Sequence, residues 1–301
     1  MNTIGLRGRK RFVLASIAPS AIILLVFSYF SFAYCIYVSF FKWNMLSPKK
    51  YIAFNNYSQL FTNPSFWNSL KVTLIYSLIS VPSCVILGLI VGIILKNAKI
   101  GRSFFRTMFF IPVIISMVVA SLIWKWIFNP TQGIFNYLLL KIGIFGTANT
   151  NHWLRWYLDP NGGALASLLA VGIWKRIGYN GVIFLSGLLN IDKEYYEAAE
   201  LEGASSFRQF WNITLPLLSP TTFFVLTMEI ISALKVSVSP LVFTNGGPIE
   251  STTTLVLLIY KEAFENFRMG YASALSVIFF LFVLLLTAVQ MRTNEKNVFY
   301  Q

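Results

Sequence analysis

Histidine occurs once in these 301 residues, at His152, and cysteine twice, at Cys35 and Cys84. One histidine excludes a multi-histidine metal site within a single chain, and no Cys/His cluster has zinc spacing. His152 lies in a turn-rich stretch and gives poor support for a nucleophilic triad, which needs a base held beside its nucleophile. Both cysteines sit in apolar runs, where they read as small buried hydrophobes, so no disulfide framework is implied. There is no GxxxxGK[ST] stretch, hence no phosphate cradle of the P-loop kind and no expectation that this chain hydrolyses ATP itself. No repeat recurs at about 20 to 50 residues, and the halves do not read as inverted copies with matched broken helices, which speaks against a secondary transporter. Charge is also scarce, at 12% of residues with eleven carboxylates in all.

What is abundant is apolar surface. Apolar residues make 56% of the chain and the mean hydropathy is +0.66, a membrane-protein composition with no room for a large soluble domain. The net charge of +13 does not point to nucleic acid, because the basic residues gather at the ends of apolar runs rather than on one polar face. Arg7, Arg9, Lys10 and Arg11 precede a run from Phe12 to Phe41 and imitate a secretory signal, with small residues at Ala18 and Ser20. A signal core is only about 7 to 15 residues long, so this run reads as an uncleaved first span with a cytoplasmic N-terminus. Further runs at about 71–95, 107–128, 164–190, 217–243 and 270–291 complete an all-α polytopic membrane protein of six transmembrane helices in a single domain, 1–301.

Orientation follows from the basic residues. With the N-terminus inside, twelve lie in the cytoplasm: Arg7 to Arg11, Lys96, Lys99, Arg102, Arg106, Lys193, Arg208, Arg292 and Lys296. Nine lie outside or at outer ends: Lys42, Lys49, Lys50, Lys71, Lys125, Lys141, Arg155, Lys261 and Arg268. The inner segments are short, where the positive-inside rule counts most. The aromatic-rich loop from Lys42 to Leu70 and the turn-rich loop from 129 to 162, with Pro130, Gly133, Asn149, Asn151, Pro160, Gly162 and Gly163, then face outward.

The same orientation places 191–216 in the cytoplasm. Asp192, Glu194, Glu197, Glu200 and Glu202 put five of the eleven carboxylates into eleven residues, too dense a cluster for lipid. Asp192 suits a helix N-cap, Gly203 suits the left-handed stop, and Ser206 with Gln209 makes a capping box for a second helix. Phe207, Phe210, Trp211 and Ile213 make that helix apolar enough to lie along a membrane surface. Leu215 and Pro216 then open the next span. By composition alone this is an ordinary amphipathic loop between spans. Its pattern, however, resembles the EAA loop of binding-protein-dependent ABC importer permeases: Glu197, Ala198 and Ala199, then Gly203, then Ile213, Leu215 and Pro216.

That resemblance implies a coupling helix seated in a groove of a separate ATPase, with Glu197 as the charged contact, Ala198 and Ala199 as the close-packed face and Gly203 as the turn. It extends over most of the chain from about Asn55. Asn56, Tyr57, Phe66 and Trp67 are similar to the segment before the second span of sugar-importing permeases, and WKRIGYNGVIFLSGL to the lead into the EAA loop of carbohydrate permeases. Gly246, Gly247, Pro248, Tyr260, Phe264, Gly270, Tyr271 and Ala272 resemble the closing signature of the first-type sugar permeases, and the whole is similar to the maltose and oligosaccharide permeases. Asn245 stands where a third glycine is usual, and Val238-Ser239-Pro240 replaces an aromatic and an aspartate. The resemblance implies a second, homologous permease subunit, two ABC ATPase subunits that hold the ATP and Mg²⁺, an extracytoplasmic solute-binding protein and a bacterial cytoplasmic membrane.

Polar and aromatic groups on the fourth and fifth runs are the candidate path lining: Trp174, Tyr179, Asn180, Glu229, Lys235 and Asn245. Sugars suit such a lining, since hydroxyls hydrogen-bond and ring faces stack. Charges in the fourth run, Lys175 and Arg176, face a cavity, a partner or the interface, or else snorkel or flank a break near Gly178. Glu229 and Lys235 are six residues apart, roughly 240° round a helix, so they do not pair; each either faces the path or pairs between helices. Two other functions fit the sequence: an importer of glycerol phosphodiester or phosphate, and a channel or membrane assembly protein that uses the cytoplasmic loop only for docking.

Overall fold

The computed structural model describes residues 3–98, 100–129, 132–142 and 159–294. The loop readings at Pro130, Asn149, Asn151 and His152, and the basic residues Lys99, Arg155 and Lys296, lie outside these. The chain falls into two compact units, one formed by residues 1–63 with 259–281 and the other by 64–258 with 282–301.

In the first unit, α1 (Thr3–Leu24) runs through a π-helical segment (Leu25–Phe30) into α2 (Ser31–Ser39). A two-residue hairpin follows, β1 (Phe41–Lys42) with β2 (Lys50–Tyr51), antiparallel, with Phe41 opposite Tyr51 and Lys42 opposite Lys50. Next is α3 (Asn55–Thr62). Buried Asn56 fixes the chain where the span gives way to the hairpin, its Nδ2 donating to the carbonyls of Ser39 at 2.7 Å and Phe41 at 3.0 Å. An amide in this place satisfies backbone groups that the end of a helix leaves open.

The second unit begins with α4 (Pro64–Asn97), followed by α5 (Arg102–Ile114), α6 (Met117–Ile127), α7 (Ile134–Lys141) and α8 (Gly163–Leu189). Then come α9 (Lys193–Leu201), α10 (Ser206–Gln209), a π-helical segment (Phe210–Thr214), α11 (Leu215–Leu217), α12 (Ser219–Leu234) and α13 (Val238–Phe243). Helix α14 (Leu255–Tyr260), a π-helical segment (Lys261–Glu265) and α15 (Met269–Asn294) close the chain. Among the described residues, four helices are long and apolar enough to cross a membrane alone, and up to six crossings result if each of two bent pairs is one span.

Helices α4 and α8 form the spine of the second unit. A Cβ at Gly88 would lie 2.6 Å from the Cβ of Asn180; small residues at such a contact let two backbones approach closely where lipid offers no hydrophobic drive. Phe184, Leu188, Leu218 and Val225 fill the space next to them, and Tyr76, Leu168, Val171, Ala233 and Phe243 form a second cluster.

Two of the apolar runs differ from the expected continuous helices. The run 107–128 breaks at Ile115 and Ser116, both extended, and the pieces on either side meet at 99°. Pro112 removes one ladder donor just before the break, and the carbonyls left open there are taken up by Lys175. Its Nζ donates to Pro112 at 3.1 Å, to Val113 at 3.3 Å and also to Ile115. Open backbone at membrane depth is tolerated only where protein satisfies it. The run 217–243 stops at Leu234 and resumes as α13, because Pro240 can stand in the first turn of a new helix but not in the middle of a continuing one. Helix α8, by contrast, passes Gly178 unbroken.

Candidate functional site

Helix α9 starts after Asp192, which has the extended N-cap backbone but makes no side-chain cap bond. It ends where Gly203 adopts φ of +77°, with the Gly203 N–H donating to Glu200 at 3.0 Å and the Ala204 N–H to Ala199 at 2.9 Å. The second helix is capped one residue earlier than the sequence suggests. Ser205, not Ser206, accepts from the Arg208 N–H at 3.4 Å, while the Gln209 side chain donates to the Ala204 carbonyl at 3.3 Å. Two adjacent serines offer the same cap chemistry, and only the backbone path separates them. Glu194, Glu197, Ala198, Glu200, Leu201 and Glu202 are all exposed, and Leu201 is 91% exposed. Ala199 and Ile213 are half-buried, as are Leu215 and Pro216, which begin α11. The segment thus offers a face of carboxylates, a small alanine surface and a bare leucine, hinged on one glycine. Tyr196 hydrogen-bonds Thr214 at 2.9 Å and ties its two arms together.

A second polar constellation lies inside the bundle. Arg176 and Asn180 are one helical turn apart on α8 and reach the same side. Both meet Glu229 of α12: Arg176 Nη1 is 3.0 Å from Oε2, and Asn180 Nδ2 donates to Oε1 at 3.0 Å. Glu229 and Asn180 are 3% and 1% exposed. Arg176 is further held by the Gly172 carbonyl at 3.2 Å, the Tyr76 hydroxyl at 3.5 Å and the Ser80 hydroxyl. Beside this pair opens a cavity of about 230 Å³ lined by Tyr76, Lys175, Arg176, Ser232, Lys235 and Ser237, among others.

Residues 65–296 match the family described as the binding-protein-dependent transport system inner membrane component. The chain belongs to this family. It is 34% identical over 275 residues to the probable ABC transporter permease protein YurN of Bacillus subtilis, covering 90% of this chain and 92% of that protein. It is likewise 34% identical over 286 residues to the sn-glycerol-3-phosphate transport system permease protein UgpA of Agrobacterium fabrum, covering 94% of each. Among solved structures, a chain of a bacterial ABC transporter involved in the import of the acidic polysaccharide alginate superposes with a TM-score of 0.80 at 22% identity, covering 96% of both chains. The fold is therefore the ABC importer permease fold, and the chain is a multi-pass membrane transport subunit.

In this permease the six candidate path residues do not form one group. Lys235 alone of the six lines the 230 Å³ cavity. Asn180 and Glu229 are turned on each other. Trp174 packs edge-on against Trp124 at 5.4 Å, Tyr179 is 44% exposed one position round α8 from Asn180, and Asn245 sits at φ of +50° in the turn after α13. That turn is held by a threonine run that belongs to none of the motifs above. Thr252 donates to the Gly247 carbonyl at 2.8 Å, Thr253 to Gly246 at 3.0 Å and Thr254 to Val236 at 2.6 Å. Three consecutive threonines soon after a Gly-Gly-Pro turn are the available signal, since such side chains readily satisfy loop carbonyls. Arg176 was missed as the partner of Glu229, because the register between α8 and α12 is set by packing and not by spacing.

The first unit holds a larger cavity of about 700 Å³, with Lys42, Trp43, Lys50, Gln59, Arg268 and Tyr271 in its lining. Arg268 pairs with buried Glu262 at 3.2 Å, donates to Gln59 at 3.2 Å and lies 4.3 Å over the Tyr271 ring.

Proposed function

We propose that this permease forms one half of the translocation path of an ATP-driven importer for a carbohydrate, an oligosaccharide in the first instance. Its partners are a second, homologous permease, two ABC ATPase subunits that bind ATP and Mg²⁺, and an extracytoplasmic binding protein that delivers the cargo. The observation that carries the reading is the exposed helix-turn-helix at 193–217, whose carboxylates and Leu201 are left open to solvent. Both termini lie in the cytoplasm. Glu197 is the charged contact to the ATPase, Ala198 and Ala199 are its close-packed face, Gly203 is the turn, and Ile213, Leu215 and Pro216 join the coupling segment to the following span. Closure of the ATPases draws the two coupling segments together and turns the path from inward-facing to outward-facing; the hairpin and its 700 Å³ cavity then face the binding protein. The 34% identity to UgpA supports a second reading of the cargo as a glycerol phosphodiester or phosphate, which competition between sugars and phosphate esters in an uptake assay separates from the first.

Affinity purification of the chain from its own membranes in mild detergent tests the assembly. A P-loop ATPase and a second EAA-loop permease are the expected companions. Recovery of the chain alone, or only with copies of itself, sinks the importer assembly and favours a channel or assembly protein.

A further inference from the structure

Three cations line the 230 Å³ cavity of the second unit, and among the described residues no Asp or Glu lines it. One of the three is balanced by a carboxylate, and a second is held by backbone carbonyls. Lys175 caps the open carbonyls at the end of α5, where a cation also meets the negative end of the helix dipole. Arg176 is balanced by Glu229 at 3.0 Å. Lys235 differs. Its backbone forms the C-cap of α12, which suits a cation, but its ammonium finds no hydrogen-bond or ion-pair partner among the described residues. The side chain is exposed and not buried, and an ionisable residue that faces a cavity of a transmembrane bundle is a functional position by default. It shares the cavity wall with the hydroxyls of Tyr76, Ser232 and Ser237. At about 30 Å³ per water, the volume takes about seven waters, the room of one hydroxylated ring.

We infer that the cargo of this permease is an anionic hydroxylated molecule, a sugar acid or a sugar or polyol phosphate, whose negative group passes against Lys235 while its hydroxyls bond the neighbouring hydroxyl side chains. The inference rests on the importer reading above and narrows it. The charge asymmetry is specific: Arg176 and Glu229 cancel, Lys175 is hydrogen-bonded to backbone carbonyls but keeps its charge, and Lys235 adds a second cation, an excess that a neutral sugar would leave unmet.

The test uses the complete transporter with its own binding protein. The binding protein is first screened by thermal shift against matched pairs: galacturonate and galactose oligomers, glucuronate and glucose oligomers, glycerol 3-phosphate and glycerol. Uptake of the hit into proteoliposomes is then compared for the unsubstituted chain, Lys235→Gln and Lys235→Arg, with recovery of the whole complex measured for each. The expected result is an acidic hit, with uptake about tenfold to a hundredfold lower for Lys235→Gln, the range of a lost charged hydrogen bond, and largely kept by Lys235→Arg. A carboxylate hit and a phosphate hit tell the two sources of charge apart. A neutral hit that is taken up leaves the carbohydrate importer standing and overturns the anion inference. Equal uptake by Lys235→Gln, or loss of the assembled complex in that variant, also overturns it. If no saccharide or phosphate ester is bound or transported, the importer reading falls together with it.

Discussion

Carboxylates serve opposite purposes in two regions of this permease. Glu229, in the middle of α12, is closed off by Arg176 and Asn180 and reaches no solvent to speak of. Glu194, Glu197, Glu200 and Glu202, on and just after α9, are all exposed. The difference is one of solvent. A carboxylate within an apolar bundle must be neutralised by its own chain or the helix holding it is not stable there. One in water costs nothing to leave open, so its charge is free for another molecule. An intramembrane charge with a good partner therefore reports on the architecture, whereas a charged face without one reports on assembly.

Breaking the buried pair gives the largest expected effect. Arg176→Met leaves the Glu229 carboxylate without its counter-ion, and removing one partner of a buried pair costs about 3–5 kcal/mol. The double variant Arg176→Met with Glu229→Gln leaves no uncompensated charge and should recover much of that loss. Thermal unfolding in detergent measures both. Single and double variants that unfold together, or singles that unfold like the unsubstituted chain, would show that the pair does not hold α8 to α12.

How far each region could be read from the sequence follows the same division. The exposed segment around α9 is legible because its features are local: Gly203 sits where only a residue tolerant of positive φ ends a helix cleanly, and the acidic cluster is visible in eleven residues. Even there the cap falls on Ser205 and not Ser206, since a one-residue choice between like side chains is made by the backbone. The bundle is less legible. Spacing on α12 excludes a pair between Glu229 and Lys235, but naming Arg176 requires knowing which turn of α8 faces Glu229. The break at Ile115 is hidden for the same reason, because the lysine that caps its open carbonyls lies sixty residues away. Membership of the permease family was readable in the motif; the lining of the path was not, because Asn180 and Glu229 look polar in sequence yet spend their polarity on each other.

The glycine turn gives an intermediate effect and tests the exposed region by conformation alone. A Cβ at Gly203 would meet nothing within 4 Å, so substitution there introduces no clash. A left-handed backbone costs an ordinary residue about 1–2 kcal/mol and a β-branched one more. Gly203→Val is expected to abolish uptake while inserting normally into the membrane. Gly203→Asn, which tolerates the left-handed region, is expected to retain most uptake. Transport by Gly203→Val equal to that of the unsubstituted chain would remove the turn from the coupling path, and equal loss in both variants would point to a requirement for the small surface rather than for the backbone angle.

Glu197→Gln is expected to change stability least and sharpens the contrast most. The side chain is exposed, and surface substitutions of this kind fall within about ±0.5 kcal/mol, so the melting temperature of the detergent-solubilised chain should not move. Its consequence should appear only when the ATPase is present: weaker co-purification of the ATPase and lower uptake, both relieved at reduced ionic strength if a remaining charge attraction still steers the two proteins together. The comparison with Arg176→Met is then complete, one substitution unfolding the subunit without needing a partner, the other visible only through one. A melting temperature lowered by Glu197→Gln to a similar degree as by Arg176→Met would mean that the acidic face already serves the fold of this chain, and uptake and ATPase recovery unchanged by Glu197→Gln would assign the contact to another residue of the segment.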